Sequence, residues 1–209
     1  TAYTPSELEY FLTDAKPLIF VCDPKKSAVI EVLAEQTGVG KVFTLSADGL
    51  GSLIDALPMH THSFKEVARG KDDLAAFLYT SGTTGRSKGA MLTHNNLVSN
   101  AQSLCQCWHF DNTDVLIHAL PLFHIHGLFV ATNVTLSAGS SMIFMPQFDS
   151  EMIISLMSRT TVLMGVPTFY VRLLESANLC AATVAPMRLF ISGSAPLLAE
   201  THKQWQEVT

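Results

Sequence analysis

From Asp73 to the end of the chain, short apolar runs recur at a steady interval, and each is followed by a stretch with helical spacing. The runs fall near 74–80, 114–120, 140–145, 161–166 and 187–192. A run of this length that is apolar throughout, not only at alternate positions, suits a strand covered on both faces. Strands that alternate with helices pair in parallel through crossovers, and right-handed crossovers place the helices on both sides of the sheet. The expected fold class is therefore α/β, with layered, largely parallel sheets and helices on both faces.

The remaining segments extend this pattern. Asn95 to Trp108 predicts a helix with Leu97, Ala101, Leu104, Cys105 and Trp108 on one side, and Asp149 is placed to cap a helix carrying Ile153, Ile154, Leu156 and Met157. Near the start, Thr4-Pro5-Ser6-Glu7 has the form of a capping box with proline in the first turn. Pro17 to Cys22 predicts a strand covered on both faces, Asp23-Pro24 the start of a second helix reaching Gly38, and Lys41 to Leu45 a further strand. Residues 46–72 mix Gly, Pro, His and charge without periodicity, and predict a surface excursion with at most one short helix. Two subregions are expected: 1–72, a βα unit with that excursion, and 73–209, the βα series.

Composition narrows the function classes. With 209 residues, 48% hydrophobic and 15% charged, the chain can bury a core. A net charge of -5 gives no general attraction to nucleic acid or to an anionic membrane, so neither is expected as a partner. The longest apolar region, Val115 to Met145, is interrupted by His118, His124, His126 and Asn133, and predicts a buried core in place of a membrane span. Cys22, Cys105, Cys107 and Cys180 have no framework spacing, and no His or Cys is spaced to complete a zinc site, which predicts free thiols in a reducing, cytoplasmic setting. The first residue is not Met, and a helical pattern runs to Thr209 without a stop signal, so both ends are expected to be cuts in a longer chain.

The chemistry concentrates in Tyr79-Thr80-Ser81-Gly82-Thr83-Thr84-Gly85-Arg86-Ser87-Lys88-Gly89, which follows an apolar strand and is expected to lead into a helix. Gly82, Gly85 and Gly89 allow backbone N–H groups to approach an anion, the hydroxyls of Thr80, Ser81, Thr83 and Thr84 add donors, and Lys88 adds charge. A polyphosphate is the expected guest. A Walker A loop would need glycine before the lysine and a hydroxyl after it, where this chain has Ser87 and Gly89. His124 and His126 read locally either as hydrogen-bonded core residues or as site residues, and no third ligand is apparent for a metal.

The 79–89 segment resembles the phosphate-binding motif of the acyl-adenylate-forming enzymes, which include acyl-CoA synthetases, luciferases and peptide synthetase adenylation domains. Pro121-Leu122-Phe123-His124-Ile125-His126-Gly127, Val166-Pro167-Thr168 and Ser192-Gly193-Ser194-Ala195-Pro196-Leu197 resemble three further motifs of that superfamily in order and spacing. The four loops begin where expected strands end, and in open parallel sheets ligands bind beyond the carboxyl ends of the strands. The extended runs at 116–121, 162–167 and 187–192 are most similar to those of malonyl-CoA synthetases.

The resemblance implies that Thr80, Ser81, Gly82, Thr83, Thr84, Gly85, Arg86, Ser87 and Lys88 hold the phosphates of ATP, and that Gly193, Ser194, Ala195 and Pro196 seat adenine. It implies that Lys88 counters charge during catalysis and that His124 lies beside the reacting carboxylate, while His126 stays undecided. It further implies an acid–thiol ligase with malonate or methylmalonate as the acid, coenzyme A as co-substrate and Mg2+ arriving with ATP. A second carboxylate needs a partner in a closed pocket. Arg172 is the candidate, with Ser194 and His124 as neighbours, although Arg172 fits an ordinary solvated helix residue nearly as well; Arg159 and Arg188 are weaker choices. Other carboxylic acids, or a non-catalytic nucleotide-binding module, remain the alternatives. By the same resemblance the 209 residues are part of one large N-terminal domain, expected to be inactive without the magnesium-binding Glu, the ribose-binding Asp and the small C-terminal domain with its lysine.

Overall fold

The structure is a computed structural model that describes residues 3–57, 65–80 and 87–209. The chain divides into two compact units, residues 1–69 and 70–209, just ahead of the expected division at 72/73.

In the first unit, α1 (Pro5–Ala15) begins with the expected capping box: the Thr4 hydroxyl accepts from the Glu7 N–H, and the Glu7 carboxylate accepts from the Thr4 N–H at 2.8 Å. Strand β1 (Ile19–Cys22) pairs in parallel with β2 (Lys41–Thr44), and α2 (Ser27–Thr37) connects them. Asp23 caps a 3₁₀ turn (Pro24–Lys26) instead of the helix itself, because the segment tightens before α2 starts at Ser27. Both helices pack on one face, where Leu12, Ile30 and Leu33 meet Phe20, Cys22 and Val42. The expectation of a strand covered on both faces fails for β1: Leu18 is 83% exposed, and Ile19 and Val21 are exposed as well. Among its described residues the excursion holds one short helix, α3 (Ser52–Asp55).

The second unit starts with a departure from the expected rhythm. Among the described residues, the element that follows strand β3 (Leu74–Thr80) is not a helix but β4 (Lys88–Thr93), paired antiparallel with Tyr79 opposite Gly89 and Thr80 opposite Lys88. Helix α4 (His94–Trp108) begins only after β4, with Thr93 as its cap. The hairpin is tight at Gly89, where a side-chain carbon would stand 2.2 Å from the Phe77 ring.

The rest is the predicted parallel series: β5 (Val115–His118), α5 (Thr132–Ser137), β6 (Ser141–Phe144), α6 (Ser150–Met157), β7 (Val162–Gly165), α7 (Pro167–Leu174), β8 (Leu189–Ser192) and α8 (Ala199–Val208). The sheet order is β6-β5-β7-β8, parallel throughout. Alternate residues serve the two faces. Leu116, Val162 and Met164 pack with Phe110, Ala131 and Val134, whereas Ile117 and Leu163 pack with Ile153, Met157, Leu173 and Trp205. All four cysteines are free thiols, two of them exposed. Among the described residues no helix is long and apolar enough to cross a membrane.

At the amino-terminal edge of this sheet, Asp114 is buried at 1% exposure. It accepts from Thr161 Oγ1 at 2.7 Å, from Arg188 Nε at 2.7 Å and from the Asp111 N–H at 3.1 Å, and forms an ion pair with the Arg188 guanidinium. Arg188→Met is expected to lower stability by about 2–3 kcal/mol. That is below the full cost of breaking a buried pair, because Arg188 is itself 37% exposed. Urea unfolding of the full-length protein tests this, and an unchanged midpoint refutes it. Burial alone would raise the Asp114 pKa, but the hydrogen bonds from Arg188, Thr161 and Asp111 outweigh burial and lower it. The stabilisation is therefore present above the ordinary aspartate value of about 3.9 and is lost as pH falls through the lower folded-state value.

Candidate active site

The carboxyl ends of β5, β7 and β8 lie at one edge of the sheet, and the segments that leave them turn over that edge together with the end of β3. They enclose a cavity of about 590 Å³ lined by Leu78, Tyr79 and Thr80 from β3, by Leu120, Pro121 and Phe123 to Gly127 after β5, by Val166 and Phe169 after β7, and by Ser194 after β8. Most of the lining is hydrocarbon or aromatic, and His124, His126, Ser194, Thr80 and Tyr79 supply the polar groups.

Of the residues singled out in the sequence, the cavity wall brings together Thr80, His124 and Ser194. Ser81, Gly82, Thr83, Thr84, Gly85 and Arg86 lie outside the described residues. Lys88 is exposed opposite Thr80, whose hydroxyl donates to the Lys88 carbonyl at 3.3 Å, so both flank residues 81–86 in the chain; Ser87 is half-buried beside them. Gly193 donates its N–H to the Gly165 carbonyl at 3.0 Å, and Ala195 and Pro196 continue the exposed turn.

Arg172 is exposed on α7 with its guanidinium 4.4 Å over the Phe148 ring. Phe148 in turn packs 4.2 Å from Phe169, which lines the cavity. Arg172 thus meets the wall through two rings. Arg188 does not serve as a fallback clamp. It opens β8 at the far edge of the sheet, where Asp114 and the carbonyls of Trp108 and His109 occupy its guanidinium. Arg159 is exposed beyond α6.

His126 is the site residue that local sequence did not separate from a core histidine, because its partner is 68 positions away: His126 Nδ1 lies 3.1 Å from Ser194 Oγ. Two backbone features make the contact. Ser194 adopts a left-handed φ of 69°, which swings its hydroxyl over the end of β8. Gly193 leaves room for the ring, since a side-chain carbon there would stand 2.9 Å from His126 Cε1. Burial, with His118 nearby, lowers the His126 pKa. The ring is therefore neutral near pH 7 and exchanges hydrogen bonds without carrying charge. His124 is exposed, with its ring 4.6 Å from Phe123. Among the described residues no three His, Cys, Asp or Glu side chains are grouped to hold a metal ion.

The cavity combines an apolar wall with hydroxyl and imidazole groups at strand ends, an arrangement suited to holding a polar group beside an apolar one. Comparisons with known proteins agree in kind. A family model described as AMP-binding enzyme matches residues 1–209. A mitochondrial malonate–CoA ligase of Xenopus laevis is 31% identical over 225 residues, covering 100% of this chain and 38% of that protein. A long-chain-fatty-acid–CoA ligase of Bacillus subtilis is 33% identical over 142 residues, covering 66% of this chain and 25% of that protein. The crystal structure of ATP-bound MatB from Rhodopseudomonas palustris superposes with a TM-score of 0.95 at 60% identity, covering 100% of this chain and 41% of that one. The chain therefore spans less than half the length of these relatives.

Two outcomes follow for His126. In a histidine NMR titration its imidazole is expected to titrate below the ordinary histidine value of about 6.5, and a normal or raised value contradicts the half-buried, neutral ring. Gly193→Ala is expected to push the ring off Ser194 at a cost of about 1 kcal/mol in stability, visible as a shift of the His126 ring nitrogens; an unmoved signal refutes the close approach.

Proposed function

Because the chain belongs to the AMP-binding enzyme family, matched along its whole length, we propose that the full-length protein is an AMP-forming acid–thiol ligase that makes malonyl-CoA from malonate, ATP and coenzyme A. The observation that carries the choice of acid is the 31% identity with a malonate–CoA ligase across 100% of this chain. The likeness to ATP-bound MatB at 60% identity supports ATP as the nucleotide.

On this reading one malonate carboxylate attacks the α-phosphate of ATP, forming an acyl-adenylate and releasing pyrophosphate. The thiol of coenzyme A then attacks the acyl carbon and AMP leaves. The protein's part is mainly positioning and charge neutralisation. The 80–88 loop holds the β- and γ-phosphates, with Lys88 meeting their charge, the turn at Gly193 to Pro196 seats adenine, and His124 orients the reacting carboxylate. The Mg2+ comes with ATP, and its main carboxylate ligand is expected beyond these residues. Arg172 meets the second carboxylate by leaving the Phe148 ring for the cavity.

A second reading, ligation of another carboxylic acid, is favoured by the hydrocarbon lining and by the likeness to the Bacillus fatty-acid ligase. Pyrophosphate release by the full-length protein with malonate, methylmalonate, acetate and a long-chain fatty acid separates the readings. Malonate is expected to be fastest; preference for the fatty acid selects the second reading, and no release with any acid leaves a non-catalytic nucleotide-binding module.

Lys88→Ala is expected to raise KM for ATP about tenfold or more while KM for malonate changes little, the loss of a charge-assisted contact to phosphate. In a single turnover His124→Ala is expected to slow adenylate formation in a protein that still folds. Wild-type ATP kinetics in the first variant, or a wild-type rate in the second, removes the corresponding role.

Arg172→Met is expected to lower kcat/KM for malonate about a hundredfold, the effect of leaving a carboxylate unpaired. Activity on acetate, which has no second charge, should hold. Equal losses on both acids make Arg172 structural.

A further inference from the structure

The 126–131 segment is a π-helical stretch (His126–Ala131), a wider turn than the α-helix that succeeds it, and such turns are rare and concentrate at functional sites. What holds it in place is a histidine that neither the phosphate loop nor the proposed chemistry uses. His118, the last residue of β5, is fully buried, and its Nε2 lies 2.9 Å from the Gly127 carbonyl. A carbonyl can only accept, so the imidazole proton sits on Nε2. Thr132 Oγ1 donates to the same carbonyl at 2.9 Å and lies 3.3 Å from His118 Nε2. Two side chains thus bind the Gly127 carbonyl, one from the strand and one from the start of α5.

The turn is also pressed against the strand end. A side-chain carbon at Gly127 would stand 2.4 Å from the Pro121 carbonyl oxygen, so the glycine permits an approach that any other residue would block. The first residue of the stretch is His126, whose ring reaches Ser194. His118 therefore does not line the cavity itself, yet the backbone it grips at Gly127 does, and it lies one residue from the His126 ring.

We infer that His118, with Thr132, is a positioning residue: by binding the Gly127 carbonyl it fixes the π-helical turn that aims His126 at Ser194 across the cavity. His118 Nδ1 has no hydrogen-bond partner among the described residues, and the ring faces Phe144 at 4.8 Å. The contact that gives the residue its orientation is the one to Gly127. A buried histidine kept for packing alone would be replaceable by a hydrocarbon side chain without consequence for His126. A positioning residue is replaceable only by a side chain that returns a donor to the same place, and glutamine, whose Nε2 sits at a comparable reach, does so.

The inference rests on the proposed reading for its kinetic arm and on the structure alone for its spectroscopic arm. Full-length protein with histidine-specific ¹⁵N labelling is compared as wild type, His118→Leu, His118→Gln and Thr132→Val, with the His126 ring nitrogens assigned by His126→Gln. In His118→Leu the His126 signals are expected to move away from their wild-type positions. The value of kcat/KM for malonate should fall about tenfold, with KM for ATP little changed, as for a misplaced group near the substrate. His118→Gln is expected to recover most of both, and Thr132→Val to shift both in the same direction by less. Thr132→Val keeps the test decisive if His118→Leu does not fold.

His126 signals that stay at their wild-type positions in folded His118→Leu, or in Thr132→Val where His118→Leu does not fold, overturn the inference. So does a His118→Gln variant no better than His118→Leu. Moved signals with unchanged malonate kinetics uphold the positioning and instead remove the assignment of this cavity to the carboxylate.

Discussion

One buried carboxylate sets the starting line of the sheet. Asp114 immediately precedes β5, Thr161 immediately precedes β7 and Arg188 immediately precedes β8, and the three side chains meet in a single hydrogen-bonded group. Arg188 also donates to the carbonyls of Trp108 and His109, which draws the end of α4 into the same knot. Parallel strands have no tight turn between them to fix their register. Here the Asp114 group does so, and strands of four residues, about 13 Å long at the usual rise, then end together at the opposite edge. The cavity lies at that edge. A slip of one residue would exchange the two core faces, moving Ile117 and Leu163 off the α6, α7 and α8 side.

The cavity edge carries local costs that the Asp114 edge offsets. Ser194 in the left-handed region costs about 1–2 kcal/mol, and the π-helical turn is a rare departure from the α-helix beside it. Both persist because neighbours over-determine them: the Gly193 N–H is bound by the Gly165 carbonyl, and the Gly127 carbonyl is bound twice. Glycine stands at both points of close approach, Gly127 against the Pro121 backbone and Gly193 against the His126 ring. Strain and missing side chains thus mark the same loops.

Much of this was legible beforehand, and the reasons differ by element. The parallel strands after residue 110 announced themselves because burial on both faces forces continuous apolar runs, and the observed strands lie within the expected ones. Thr4 and Asp149 were readable as caps because capping is decided within four residues. Strand β4 was not legible: Lys88-Gly89-Ala90-Met91-Leu92-Thr93 lacks alternation, and its pairing with β3 depends on a glycine facing Phe77. The exposure of Ile19 and Val21 was equally hidden, since an apolar run does not reveal whether two helices pack on one face or on both. At the site, strand ends could be placed from the sequence, but contacts spanning distant segments could not. Arg188 reaching Asp114 across 74 positions and His126 reaching Ser194 across 68 are products of the fold.

The two arginines show how the chain separates structure from a capacity for binding. Arg188 is held by a buried carboxylate, two carbonyls and the Phe110 ring at 5.7 Å, and cannot leave without stranding Asp114. Arg172 is held over Phe148 in an exposed position, where a cation–π contact is worth about 0.5–1 kcal/mol. A carboxylate brought into a largely apolar cavity costs several kcal/mol unless a donor meets it. The described lining offers hydroxyls and imidazoles, of which His126 is neutral near pH 7, while Lys88 and Arg172 flank the cavity at exposed positions. An arginine fixed inside the cavity would itself need a buried partner, as Arg188 has in Asp114. On the proposed function, keeping the cations outside avoids that cost until the substrate brings its own negative charge. A side chain restrained by about 1 kcal/mol can then be drawn from the ring to the anion.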